Sequence, residues 1–190
     1  MIMDLCCLVK LNPANCTSLL GIPEFQFFLL DILYEYQMTL YNVELKNISG
    51  IWDFGTKTHT VLMKHALLNE PEGYKRLNNL FIWTEIKRTA ALQKPNPSKY
   101  EKGASYLLRH LWQNLLDSLY ESSHASRPSL NSNIWKNLIQ VAFYTQDIIT
   151  SAYQESILRV VNNEGEEDYI SSLGGVINKL TPDEDFPYSI

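Results

Sequence analysis

SKYEKGASYLLRHLWQNLLDSLY, residues 98–120, is the stretch on which the fold turns. Leu108, Leu111, Trp112, Leu115 and Leu119 recur at intervals of three and four, which gathers them on one side of a helix with 3.6 residues per turn. The segment therefore reads as an amphipathic helix, with Trp112 and Leu115 as core residues. Just before it, Lys94-Pro95-Asn96-Pro97 is a firm break, because each proline removes a backbone donor and restricts its neighbour.

The same period spreads outward from this helix. On the C-terminal side, residues 122–132 are polar and contain Arg127-Pro128, which reads as a loop. Asn133 is a plausible N-cap for a helix over 134–150, with Leu138, Val141, Ala142, Thr145 and Ile148 on one stripe. Residues 151–161 continue that helix or form another. An acidic loop over 162–168 leads to a short last helix over 169–180, weakened by Gly174-Gly175, and to an irregular tail.

On the N-terminal side, residues 74–92 carry Leu77, Leu80, Phe81, Thr84 and Arg88 at helical spacing, and Glu70-Pro71-Glu72-Gly73 separates them from a helix over 56–69. In that helix Val61, Leu62, His65 and Leu68 share a face. Residues 47–55, with Ser49-Gly50 and Asp53-Phe54-Gly55, read as a turn. Residues 40–48 alternate passably as a strand, but nothing nearby could pair with them. Pro23 and Glu24 open a helix over 23–37 that is apolar nearly all round, as suits a helix packed on more than one side. Residues 18–22 read as a turn, and residues 1–11 as the tail of a helix broken at Asn12-Pro13.

The fold class expected is all-α, built of antiparallel helix pairs, as an armadillo/HEAT-like α-solenoid segment or an irregular helical bundle. The chain divides into a helical segment over 1–94, a proline linker at 95–97, a second helical segment over 98–180 and a tail over 181–190, together one continuous helical unit. Pro23-Glu24 and Pro71-Glu72 open helices 48 residues apart. Repeats of the HEAT and armadillo type run at about 40–47 residues.

Composition narrows the function. The 190 residues are 45% hydrophobic and 19% charged, enough apolar matter for a core, and the net charge of −5 lacks the basic excess of a nucleic-acid surface. No apolar run reaches the roughly 18–20 residues of a membrane span. The three cysteines, Cys6, Cys7 and Cys16, lack zinc-ligand spacing and read as small buried hydrophobes in a reducing, cytosolic setting.

Residues that could carry chemistry are few. His59, His65, His110 and His124 form no HExxH or similar pair, and read as polar residues on helix surfaces. Asp53-Phe54-Gly55 has the letters of a kinase metal motif without its glycine-rich or catalytic loop. Gly21, Gly50 and Gly55 make no phosphate-binding loop. Glu164, Glu166, Glu167 and Asp168 lack the alternation of a calcium loop, and read as solvated. Trp52, Trp83, Trp112 and Trp135 read mostly as core, with one or two at an interface. No catalytic, cofactor-binding or metal-binding residue is assigned.

Gly21-Ile22-Pro23-Glu24-Phe25-Gln26-Phe27-Phe28-Leu29-Leu30-Asp31-Ile32-Leu33, and more loosely residues 69–74, resemble the helical scaffold upstream of the BEACH domain in the large BEACH-family proteins. The resemblance implies an armadillo-like scaffold in membrane traffic, vesicle handling or autophagy. It transfers no BEACH-domain residue.

The expected function is a non-enzymatic helical scaffold segment that binds protein partners, without nucleic acid, cofactor or transmembrane segment. The alternative is a compact all-α adaptor or effector domain that grips a partner helix in an apolar groove. The apolar start and the near-repeat lead to the expectation of a piece cut from a longer polypeptide, prone to self-association through uncapped faces.

Overall fold

A computed structural model of the chain describes residues 2–22, 24–40, 49–125 and 132–161. Among them lie seven helices and no strand: α1 (Ile2–Leu11), α2 (Pro13–Leu20), α3 (Phe25–Leu40), α4 (Ser49–Asn69), α5 (Tyr74–Ala91), α6 (Pro97–Ala125) and α7 (Ser132–Val161). The all-α fold is as expected. Two compact units are present, Met1–Gln140 and Val141–Ile190. The break before Pro97 joins α5 to α6 within the first of them.

In the first unit the helices form antiparallel pairs. Arg88 reaches Glu101 at 3.3 Å and Phe81 meets Trp112 edge-on at 5.6 Å, so α5 and α6 run in opposite directions. Helix α3 runs alongside α5 in the same direction: Gln26 meets Arg76 and Asn79, and Asp31 meets Trp83 and Lys87. Helix α4 keeps the direction of α6, with Trp52 near His110 and Lys64 near Ser118. The α3/α4 pair thus stacks on the α5/α6 pair, while α1 and α2 pack on α4.

Helix α4, touched by α1, α2, α3, α5 and α6, is the one most enclosed. Its core side chains are Leu62, Met63, Ala66 and Leu67. Leu29, Leu30 and Leu33 of α3, Leu77, Leu80 and Trp83 of α5, and Ala104, Leu107, Leu111, Trp112 and Leu115 of α6 complete the core. Each fully buried leucine contributes about 1.5–3 kcal/mol of transfer free energy. Trp83 fixes the α3–α5 contact: its edge meets Tyr34 at 5.5 Å and its indole N–H donates to Asp31 Oδ1 at 2.7 Å. The Tyr34 hydroxyl donates to the Tyr100 carbonyl at 3.0 Å, and burial pushes its pKa up to about 12.

Several local expectations change. Residues 13–20 are helical, so the turn expected at 18–22 begins only at Gly21. Asn12 accepts the Ala14 N–H at 2.9 Å as N-cap and Pro13 sits in the first turn, so the pair that ends α1 also starts α2. Residues 49–55 are the first two turns of α4 rather than a turn, because enclosure by neighbours outweighs a helix penalty of roughly 1 kcal/mol for each glycine. Residues 122–125 belong to α6, and residues 151–161 continue α7. On α6 the core takes Leu107, with Leu108 half-buried; on α7 Ala142 is exposed. Cys6 and Cys16 are buried, whereas Cys7 is exposed. The possible strand over 40–48, apart from Leu40 at the end of α3, lies outside the described residues. So do the acidic cluster at 164–168, the short helix over 169–180 and the tail.

Candidate functional site

The sequence-selected histidines separate widely. His65, on α4, lies beside Thr17 of α2, with Thr17 Oγ1 3.0 Å from His65 Nε2. Asn69, one turn further along α4, places its Nδ2 3.3 Å from His65 Nδ1 and donates from the same nitrogen to the His65 carbonyl at 2.9 Å. Hydroxyl, imidazole and orienting side chain stand in the order of a hydrolytic triad, an arrangement across 48 residues that spacing in the sequence does not show. The tautomer of His65 sets which way the proton runs between the ring and the Thr17 hydroxyl.

His59 is not on a surface. It is 1% exposed, and neither ring nitrogen has a hydrogen-bond partner among the described residues. Burial holds its pKa down to about 4, so the ring is neutral in the folded chain at pH 7. Its neighbours Thr56, Thr58 and Thr60 are buried too, but each hydroxyl donates to a carbonyl of the preceding turn. His59 lines a cavity of about 10 Å³ together with Leu20, Gln26, Met63 and Asn79, room for roughly one water. His110 stacks on Tyr106 and lies 5.2 Å from Trp52; burial lowers its pKa and Asp53 partly opposes that. Among the described residues no three His, Cys, Asp or Glu side chains are grouped to hold a metal ion.

Among the described residues, α7 carries the longest row of exposed apolar side chains. This helix has apolar residues on two opposite faces. One face, Ile134, Asn137, Val141, Thr145, Ile148 and Ala152, follows the three/four spacing and is buried. Asn137 anchors its first turns: Nδ2 donates to the Leu67 carbonyl at 2.8 Å and the Glu70 carbonyl at 2.9 Å, and Oδ1 accepts the Tyr74 N–H at 3.3 Å.

The other face holds Trp135, Ile139, Phe143, Tyr153 and Ile157, which are 53, 51, 58, 59 and 45% exposed. Ala142, Gln146 and Thr150 are exposed between them, and Ile149 is half-buried. By helical rotation Lys136 and Asp147 border this stripe beside Phe143, about 20° and 40° away, and Glu155 lies well off it. The stripe runs about 33 Å along the helix. Single exposed apolar side chains are ordinary; a continuous row rich in aromatics is less so. Shorter rows occur on α1, at Met3, Leu8 and Leu11, and on α5, at Ile82 and Ile86. Of the four tryptophans, Trp83 and Trp112 are core, Trp52 is half-buried and Trp135 is exposed on this row.

No single helix among the described residues is long and apolar enough to cross a membrane; α2 and α3 together have the length but meet at 93°. Comparison with protein-family models, with curated proteins and with solved structures gives no match.

Proposed function

We propose that the chain is a non-enzymatic helical module that binds protein, with the outer face of α7 as its contact surface. The observation that carries this reading is the row Trp135, Ile139, Phe143, Tyr153 and Ile157, exposed on a helix whose opposite face is already buried. Aromatic residues at the centre of an apolar patch are the usual anchors of protein interfaces. The non-enzymatic part is supported by His59, buried with neither ring nitrogen hydrogen-bonded among the described residues. The resemblance of residues 21–33 to the BEACH-family scaffold is what favours a setting in membrane traffic.

The test is site-specific photo-crosslinking in the cells that make the protein. A benzophenone side chain at position 143 is expected to give discrete adducts, and the same group at exposed Lys102 on α6 is expected to give none. Equal labelling at both positions, or none at 143, would overturn the reading.

A further inference from the structure

His59 stands where α2, α3, α4 and α5 meet. The cavity beside it is walled by Leu19 and Leu20 of α2, Gln26 and Leu29 of α3, and Arg76 and Asn79 of α5. A neutral imidazole suits this place and a cation does not. Gln26 commits its amide nitrogen to the Arg76 carbonyl at 2.9 Å and to Met63 Sδ at 3.5 Å, and its oxygen to the Asn79 amide at 3.1 Å. Among the described residues that line the cavity Arg76 alone is charged, a cation held to Glu70 at 3.3 Å. The wall from α2 brings no ionisable side chain, and α1 and α6, which also pack on α4, add nothing to the lining. A proton arriving on His59 would meet a like charge, no carboxylate and no water shell.

The walls differ in what holds them. Helices α3, α5 and α6 are tied together by Gln26 at Arg76, Trp83 at Asp31 and Tyr34 at Tyr100. Helices α1 and α2 rest on α4 with four buried side chains among the described residues, Cys6, Val9, Cys16 and Leu20, and with Thr17 at His65. They are also fastened to each other. Asn15 Nδ2 donates to the Leu8 carbonyl at 2.8 Å, and the Cys16 thiol to the Val9 carbonyl at 3.4 Å. Small, lightly held units open at lower free energy than the core they cover. We infer that α1 and α2 form an acid-released flap, which lifts as one piece from α4 when His59 takes up a proton while α3 to α6 stay packed. The covered ring has a pKa of about 4, and in water it returns to about 6.5. Between these values the open form binds more protons, so opening is favoured as pH falls. The open fraction should rise roughly 20-fold from pH 7 to pH 5. The flap does not use the outer face of α7.

The test uses the full chain with Cys7→Ser, which removes the exposed thiol and leaves Cys6 and Cys16 buried in the flap. Dithiodipyridine, a disulfide reagent, labels thiols in acid as well as at neutral pH. Its rate at Cys16, read by mass spectrometry and divided by its rate with glutathione at the same pH, measures how often the flap is open. That ratio is expected to rise roughly 20-fold from pH 7 to pH 5. Hydrogen exchange at the slowest α5 and α6 amides reports opening of the whole chain, expected to be at least about 10-fold rarer at both pH values. In His59→Leu the rise is expected to shrink below about 3-fold, and in His65→Gln, which alters the other histidine under α2, to persist. A wild-type ratio that does not rise would overturn the inference. Equal opening at Cys16 and at the α5 and α6 amides would overturn it too, since the whole chain would then be unfolding. So would a rise that survives His59→Leu or vanishes with His65→Gln. If a variant fails to fold, the wild-type curve decides: a rise that begins near pH 6.5 and levels near pH 4 is expected, and one that begins only below about pH 5 belongs to carboxylates and overturns the flap.

Discussion

The side-chain amide of Asn137 donates to the Leu67 carbonyl at 2.8 Å, closing the end of α4 from a residue 70 positions further along the chain. The same amide nitrogen donates to the Glu70 carbonyl, and its oxygen accepts the Tyr74 N–H at the start of α5. One fully buried side chain therefore satisfies backbone groups at two helix ends that would otherwise be orphaned. Asn137→Ala is expected to cost about 2–4 kcal/mol, since each buried group left unpaired costs about 1–3 kcal/mol and partial relaxation offsets some of the sum. Asn137→Asp should be no milder, because a carboxylate cannot donate to the two carbonyls. Urea unfolding measures both; a loss under about 0.5 kcal/mol would mean that water replaces the amide.

Gly73 sits in the turn between α4 and α5 with an ordinary right-handed backbone, so its role is space rather than conformation. A β-carbon there would lie 2.0 Å from the Ala66 carbonyl oxygen. Backbone cannot swing aside as a side chain can. Gly73→Ala is expected to destabilise by about 1–3 kcal/mol, the range for overpacking. Thermal unfolding with no loss would show that the turn moves freely off α4.

His59 gives the chain an acid-sensitive core. Its ring is neutral when folded down to about pH 4, and in the unfolded chain it protonates near its reference pKa of about 6.5. Between these values the unfolded state binds more protons, so stability falls as pH falls from 6.5 towards 4, and both states are protonated below that. From pH 7 to pH 5 this one residue should remove about 2 kcal/mol. His59→Leu, close in volume and without unpaired nitrogens, is expected to match or exceed wild-type stability at pH 7, by up to about 1 kcal/mol. It should also lose less on acidification. Equal pH slopes for the two proteins, read from urea midpoints, would assign the acid sensitivity elsewhere.

Leu115 is 1% exposed on the core face of α6. Leu115→Ala is expected to cost about 2–5 kcal/mol in chemical unfolding. A cost near zero would place this face of α6 in solvent.

Periodicity carried most of the fold. Helices α5, α6 and α7 were legible because three/four spacing and proline breaks agree, and Leu111, Trp112 and Leu115 fell in the core as their stripe required. The misreadings share a cause. Gly50 and Gly55 point to a turn, and His59 to a surface, only by their local chemistry. Helix α4 is enclosed by five neighbours, and enclosure places even its threonines and histidine inside. The exposed row on α7 was half visible. Trp135 is one of four tryptophans of which one or two are expected at an interface, but the three/four spacing on α7 points to Leu138, Val141, Ala142, Thr145 and Ile148. A helix with two apolar faces does not announce which one the chain covers. Asn137 carried no signal, since its partners lie 63 to 70 residues away.

The use of α7's outer face for contact rather than for folding is tested most directly at Phe143, 58% exposed at the middle of the row. The measurement is the unfolding free energy of Phe143→Glu against wild type, in urea and at low protein concentration. A change within about 0.5 kcal/mol is expected, as for a surface position. A loss above about 2 kcal/mol would make Phe143 part of the chain's own core, and the contact surface on α7 would be gone.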